Sequence, residues 1–164
     1  MRTLRLASLL ALVLALLAPA GHVLEIPGKL RLTAEHWLVV QQTLYPGYAV
    51  AGAVTLLGTP LLLAAFAWSV RGTAEARAAW IAAGLVLLGL LAWWLVVAPV
   101  NGWIAAATPE TLPPAWTAWR TRWEAGHALV ALLVATALVL LLRTALSAAQ
   151  PAPPPHAPPA RHRR

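Results

Sequence analysis

The sequence predicts an all-α protein, an integral membrane four-helix bundle with both termini on the inner side and a short interfacial helix in its first outer connector. Of its 164 residues, 60% are hydrophobic and only 10% are charged, whereas a soluble domain carries about 25% charged residues. Four apolar runs each approach the roughly 20 residues that a helix needs to cross a hydrocarbon core. Basic residues flank these runs in unequal numbers on the two sides.

The four predicted spans cover about residues 6–24, 48–70, 78–100 and 125–142. Leu, Ala and Val dominate all of them. The polar connector 71–77 makes spans two and three a tight hairpin, in which Thr73 is expected to cap span three and Glu75 to supply an acid in its first turn. The spans together form one membrane domain, residues 1–146.

The first outer connector is predicted to open at Pro27 and Gly28. Within it, Thr33 is expected to cap a short helix that runs to Leu44 and is ended by the following Pro46 and Gly47. Aromatic side chains in this segment suit the membrane interface, because amphipathic rings settle at the level of the headgroups.

The second outer connector contains Pro109, Pro113 and Pro114, which make a helix unfavourable before Trp116. From that residue onward tryptophans recur at helical spacing. After span four, residues 147–164 are predicted to form a disordered, proline-rich basic tail.

The distribution of basic residues predicts the orientation. Eight fall on one side of the four spans, namely Arg2, Arg5, Arg71, Arg77, Arg143, Arg161, Arg163 and Arg164, and four on the other, namely Lys29, Arg31, Arg120 and Arg122. Cytoplasmic flanks carry the excess of Lys and Arg. The sequence therefore predicts a multi-pass protein of the cell inner membrane with both termini in the cytoplasm.

Span one has an alternative interpretation. Arg2 and Arg5, the apolar stretch 9–17 and the Ala-Pro-Ala sequence at 18–20 also satisfy the pattern of a cleaved signal peptide. We expect span one to be retained, because the apolar run continues to Leu24 and is long enough to cross the bilayer. Cleavage would leave spans two to four oriented as before.

Composition excludes several classes of function. The chain has no cysteine, so disulfides, thiolate metal sites and covalent haem attachment are ruled out. The formal charge of +7 comes from basic residues scattered singly rather than gathered on one face, which argues against nucleic acid as a partner. The lipid bilayer is the expected partner, and the oligomeric state is left open.

Polar residues cluster at the outer ends of the spans. His22 and Glu25 close span one, Gln41, Gln42 and Tyr45 precede span two, Asn101 ends span three, and Glu124 and His127 begin span four. Ionisable groups at membrane depth cost about 2.5 to 3.5 kcal/mol each, so they usually pair, line a cavity or form a functional site. We expect these eight side chains to converge on one shallow pocket.

Two spacings in this set carry possible chemistry, His22-x-x-Glu25 and Glu124-x-x-His127. Residues three apart share one helical face, so each pair offers an imidazole and a carboxylate to one point. Three interpretations stay open: structural pairing with nearby basic residues, a catalytic or ligand-binding pocket, and a metal site with His22, Glu25, Glu124 and His127 as ligands. Haem with His22 and His127 as axial ligands is a further variant.

Tryptophans near the ends of the spans are expected to form an aromatic belt. Two of them differ, because Trp103 lies close to Asn101 and Trp123 directly precedes Glu124. These two are expected to wall the same pocket.

Three segments, 22–30 (HVLEIPGKL), 99–101 (PVN) and 120–127 (RTRWEAGH), together resemble a bacterial family of small four-helix membrane proteins of unassigned function, to which anthrone oxygenases are related. The resemblance covers roughly residues 1–145. It implies that span one is retained, and it makes six positions the best site candidates, namely His22, Glu25, Asn101, Trp123, Glu124 and His127. It further implies an oxygenase that acts on a small apolar or aromatic substrate, apparently without a cofactor.

Oxygenation without a cofactor requires a base that converts the substrate to an oxygen-reactive carbanion, and an oriented histidine is a suitable base. We expect His127 to fill this role, with Glu124 or Glu25 as its orienting group, Asn101 as donor to the oxyanion and Trp123 as an apolar wall. A metal-dependent oxygenase and a non-catalytic membrane scaffold or accessory subunit are the alternatives.

Overall fold

A computed structural model describes residues 2–148 of the chain, and this part is entirely helical. The helices are α1 (Arg2–Lys29), α2 (Ala34–Leu44), α3 (Pro46–Ser69), α4 (Ala74–Ala92), α5 (Ala98–Ala106) and α6 (Trp116–Ala148), with a π-helical turn at Trp93–Val97 and a 3₁₀ turn at Pro109–Thr111. The π turn joins α4 to α5 without a break, so Ala74–Ala106 is one long span.

Four helices are long and apolar enough to cross a membrane: Arg2–Lys29, Pro46–Ser69, Ala74–Ala106 and Trp116–Ser147. The chain is therefore a multi-pass membrane protein by helix length and hydropathy, as its composition predicted. The short helix α2 lies between the first two spans, as predicted.

Local capping chemistry fixes two helix starts. The Thr33 side chain accepts a hydrogen bond from the backbone N–H of His36, and the Thr73 side chain accepts one from that of Ala76. Both residues have the extended backbone of an N-cap. The two predicted caps are confirmed. The predicted start of helix at Trp116 is confirmed as well.

The end of α1 was predicted wrongly. Pro27 and Gly28 do not open a connector but lie inside the last turns of α1, which ends at Lys29. Proline removes one backbone donor from the helix. The ion pair between Glu25 and Lys29, one turn apart, stabilises this end instead.

Two of the other three spans are longer than predicted. The second fits closely, whereas the third continues six residues beyond residue 100 and the fourth begins nine residues before residue 125. Asn101 therefore lies inside a helix rather than at its end. The predicted tail, 147–164, lies almost entirely outside the described residues.

The four spans pack as a closed ring in which α1 contacts α3 and α6, and α4 contacts the same two helices. Leu12, Leu63, Phe66, Val86 and Val134 are completely buried at its centre. The helix α1 contributes Leu12 and Ala15 to this core.

The two ends of the bundle can be told apart by the residues that lie there. At one end Arg5 Nη2 donates to both carboxylate oxygens of Glu75, at 2.7 and 2.9 Å, and so joins the start of α1 to the start of α4. At the other end α1 finishes at Lys29 and α3 begins at Pro46. We call the latter the site end.

Candidate functional site

The site end brings together residues from all four spans. His22, two turns before the end of α1, is buried and makes ring contacts with centroid distances of 4.4 Å to His127, 4.6 Å to Trp123, 4.6 Å to Tyr45 and 5.1 Å to Tyr48. The structure thus places His22, Trp123 and His127 in one cluster, as the sequence predicted. Tyr45, which the sequence also predicted there, and Tyr48 of α3 join this cluster.

His127 is held by its own helix. Its Nδ1 lies 3.0 Å from the backbone carbonyl oxygen of Trp123, one turn earlier in α6. A carbonyl oxygen only accepts, so Nδ1 carries the proton and Nε2 is the basic nitrogen. This carbonyl, and neither of the carboxylates proposed from the sequence, orients the ring.

Lys29 lies among the carboxylates. Its Nζ is 3.0 Å from Glu25 Oε2 and 3.6 Å from Glu124 Oε1, and it is 3.5 Å from His22 Nδ1. The ammonium group also lies over the rings of Tyr45 and Trp123, 4.8 and 4.5 Å from their centroids. Although it is a lysine, the residue is only 3% exposed, so its charge is compensated almost entirely by these neighbours.

Tyr45 connects α3 to this ion cluster. Its hydroxyl donates a hydrogen bond of 2.7 Å to Glu25 Oε2. Burial raises the pKa of the Tyr45 phenol, and the hydrogen bond to the Glu25 carboxylate raises this pKa further. The phenol therefore stays protonated and acts as a donor.

Asn101 is positioned by the π turn that precedes it. Its Oδ1 accepts a 2.7 Å hydrogen bond from Trp123 Nε1, which fixes the orientation of the amide and leaves its nitrogen as a donor. A π turn adds one residue to a helical turn and rotates everything after it. In this way Asn101, predicted at the end of a span, faces α6 from within one.

The π turn itself is held by Arg122 of α6. Pro99 has no N–H, so the carbonyl of Leu95 lacks the donor that an α-helix would supply. Arg122 Nη2 donates to this oxygen at 2.8 Å, and Arg122 Nε donates to the Val96 carbonyl at 3.1 Å. The contact is close because α6 presents Gly126 to the π turn.

The proposed metal ligands do not fit a metal site. Among residues 2–148 no three His, Asp or Glu side chains are arranged to hold an ion. Lys29 Nζ already lies within 3.6 Å of donor atoms of Glu25, Glu124 and His22, so a metal would face an adjacent fixed positive charge. The structure therefore argues against the four-ligand interpretation.

The haem variant does not fit either. Axial ligands bind on opposite faces of the iron, with the macrocycle between them. The rings of His22 and His127 are instead in edge contact, with centroids 4.4 Å apart, which leaves no space for a macrocycle.

A cavity of about 800 Å³ lies beside the ring cluster, within the range of small-molecule sites. It is lined by six residues of the site described above, namely His22, Tyr45, Tyr48, Asn101, Trp123 and His127, and by apolar side chains that include those of α3 and α4. Glu25 and Glu124 do not line it. Trp103 does not line it and stacks on Trp119 instead, with ring centroids 5.9 Å apart.

Sequence reasoning expected Tyr45 at the pocket and Lys29 among the nearby basic partners, but it missed Tyr48 and did not place Lys29 between Glu25 and Glu124. Lys29 follows Glu25 by four residues and His22 by seven, a spacing that places all three on one helical face. This spacing is visible in the sequence. It did not predict a shared helical face, because Pro27 and Gly28 were interpreted as the end of the helix before Lys29. Comparison with family models, with curated proteins and with solved structures gave no match.

Proposed function

We propose that the cavity at the site end binds a small apolar or aromatic molecule and that His127 removes a proton from it, in the manner of a cofactor-independent oxygenase. The observation that carries this proposal is the arrangement of His127, whose Nδ1 is held by the Trp123 carbonyl inside a cavity with largely apolar walls. The resemblance of three segments to relatives of anthrone oxygenases supports the same reaction.

The chemistry follows from the hydrogen-bond roles. His127 Nε2 accepts the proton of an acidic C–H bond, and the electron pair of that bond delocalises onto a substrate oxygen. The amide nitrogen of Asn101 donates to this developing oxyanion, because its oxygen is already engaged by Trp123. With an anthrone as substrate, the carbanion adds one O₂ to give a peroxide anion, which takes back the proton from His127 to form a hydroperoxide, and this loses water to give the anthraquinone.

The test is the variant His127→Gln, assayed with anthrone in detergent-solubilised protein by oxygen uptake and by anthraquinone absorbance. Loss of the general base should lower turnover by about 10²- to 10⁴-fold. The matched control is His36→Gln, since His36 is an exposed histidine of α2 that contacts Thr33 and does not line the cavity. Equal turnover in wild type and His127→Gln, after subtraction of spontaneous oxidation, would exclude His127 as the base.

A non-catalytic scaffold is the second candidate function. The contacts of Lys29 with two carboxylates favour it. Lys29 joins Glu25 of α1 to Glu124 of α6, which is what structural pairing between helices requires. In this case the purified protein would show no His127-dependent turnover and would copurify with one stoichiometric partner.

We also propose that the site end faces away from the cytoplasm, with both termini cytoplasmic, in a cell inner membrane. The excess of Arg at the other end supports this orientation. It would place α2 at the outer interface.

A further inference from the structure

The cavity is covered at the site end by α2. Trp37 and Leu38 of this helix are buried against a cluster that includes Val100 and Ile104. Gln42 Nε2 donates to the carbonyl oxygens of Ile104 and Ala107, at 2.8 and 2.9 Å. Ile104 lies in the last turn of α5 and Ala107 directly follows this helix, so α2 is bound to the end of the third span, and its Gln41 and Gln42 form part of the cavity wall.

Between α3 and α5 the cavity wall is exposed on the surface of the bundle. The helix α3 packs closely along α4 but not along the π turn or α5, so the two spans separate beyond Trp93. The walls at this separation are Ala49, Ala53 and Leu57 of α3 and Ala105 of α5, which line the cavity and are also exposed on the bundle surface. Leu57 is the twelfth of 24 residues in its span. The opening therefore extends to the middle of the membrane.

The interior has a polar end and an apolar end. Asn101, His22 and Gln41 lie among its polar lining residues, whereas Leu56 and Leu90 contribute apolar walls. Gln41 Nε2 is buried and has no hydrogen-bond partner within residues 2–148. A buried amide donor without a partner costs about 1–3 kcal/mol, and a ligand acceptor group in the cavity would recover this energy.

We propose that the ligand of this cavity is a lipophilic molecule with one hydrogen-bonding head group, and that it enters sideways from the bilayer through the gap between α3 and α5. The proposal rests on the proposed function, because it assumes that the cavity is a binding site. The head group lies near Asn101 and Gln41, and the apolar body points along α3 toward Leu57. A membrane-dissolved molecule reaches this gap without crossing α2.

The absence of cysteine from the chain allows a direct test with single-cysteine variants in phosphatidylcholine vesicles. Leu56→Cys places a thiol in the cavity wall. Leu63→Cys, two turns along the same face and completely buried outside the cavity, is the matched control. Val54→Cys, on the exposed face of α3, reports reactivity in the lipid itself. Each variant is treated with lipid-soluble N-(1-pyrenyl)maleimide and with a membrane-impermeant, sulfonated maleimide.

We expect the pyrenyl reagent to label Leu56→Cys within about tenfold of the rate for Val54→Cys, and Leu63→Cys at least about a hundredfold more slowly, because only an accessible thiol reacts. The sulfonated reagent should label none of the three. Adding Ala53→Trp should block the gap and slow the labelling of Leu56→Cys more than about tenfold. Adding Val50→Trp, on the exposed surface outside the cavity, should leave that rate unchanged.

Two results would overturn lateral entry. Rapid labelling of Leu56→Cys by the sulfonated reagent, unaffected by Ala53→Trp, would show entry from water. If the pyrenyl reagent labels Leu56→Cys as slowly as Leu63→Cys, the cavity is closed to the bilayer. If Leu56→Cys folds poorly, Ala18→Cys on α1 lines the same cavity and replaces it. None of these variants alters His127, so lateral labelling without His127-dependent turnover would remove the proposed chemistry and leave the entry route.

Discussion

At the scale of single residues, the ammonium group of Lys29 compensates two carboxylates that belong to different spans. Glu25 also receives a hydrogen bond from Tyr45, but neither carboxylate oxygen of Glu124 has a hydrogen-bond partner within residues 2–148. Glu124 therefore depends on Lys29, 3.6 Å away, for its charge compensation. The candidate residues themselves were predictable from the sequence, because ionisable side chains are rare in apolar helices. Their pairing was not, because it needs the bundle to bring α1 and α6 together.

The variant Lys29→Met should lower the stability of the bundle by about 3 kcal/mol, since removal of one partner leaves a buried charge uncompensated. Thermal unfolding in detergent measures the effect. The control Arg31→Met changes an exposed basic residue two positions later and should leave the unfolding temperature nearly unchanged.

The double variant Lys29→Met with Glu124→Gln should regain part of the lost stability, because the uncompensated charge is gone. If Lys29→Met unfolds at the same temperature as wild type, Lys29 does not stabilise the site end.

At the scale of elements, the contact between α6 and the π turn sets the position of Asn101. A Cβ atom on Gly126 would lie 2.5 Å from Val97 Cγ2 and 3.0 Å from Val96 Cγ1. Only glycine permits this approach, which in turn brings Arg122 to the Leu95 carbonyl. Hydropathy predicted the third span but not its π turn, because the irregularity depends on a side chain from another helix. Pro99 within the span was the one local signal of an irregular turn.

The variant Gly126→Ala should therefore destabilise the protein by about 1–3 kcal/mol, as overpacking in a core does. Gly84→Ala is the matched control, because Gly84 lies in α4 and a Cβ there meets nothing within 4 Å. That control should be neutral or stabilising by up to about 1 kcal/mol, since alanine favours a helix interior over glycine.

Apparent unfolding temperatures of both variants, measured in the same detergent, test this expectation. Equal stability of the Gly126 and Gly84 variants would mean that α6 can move away from the π turn without cost.

At the scale of the whole molecule, the polar contacts between spans are distributed unequally between the two ends of the bundle. The Arg5–Glu75 pair joins the spans at one end, Thr59 of α3 donates to the Ala11 carbonyl of α1 within the core, and the other polar contacts between the described spans lie at the site end. The number of spans followed from composition, and helix starts followed from capping residues such as Thr33 and Thr73. The length of α1 did not follow, because a proline that is unfavourable locally is accommodated by the Glu25–Lys29 pair. The shape of the cavity arises only from the divergence of two spans.

The orientation of the whole molecule is testable with a matched pair of exposed positions. Ala74→Cys lies at the start of α4, and Ala115→Cys lies just before α6. If both termini are cytoplasmic, a membrane-impermeant maleimide added to spheroplasts should label Ala115→Cys at once.

In the same experiment Ala74→Cys should react only after the membrane is permeabilised. The reverse pattern would invert the proposed topology, and labelling of both positions would indicate a mixed orientation.

The hydrogen bond from Arg122 to the Leu95 carbonyl has a consequence for biosynthesis. The ribosome delivers residue 95 to the membrane well before residue 122, and Pro99 cannot supply the missing donor in the interval. An unsatisfied carbonyl in hydrocarbon is costly, so the third span reaches its final hydrogen bonding only when the fourth has been made. The final backbone geometry of the third span is therefore coupled to the synthesis of the fourth.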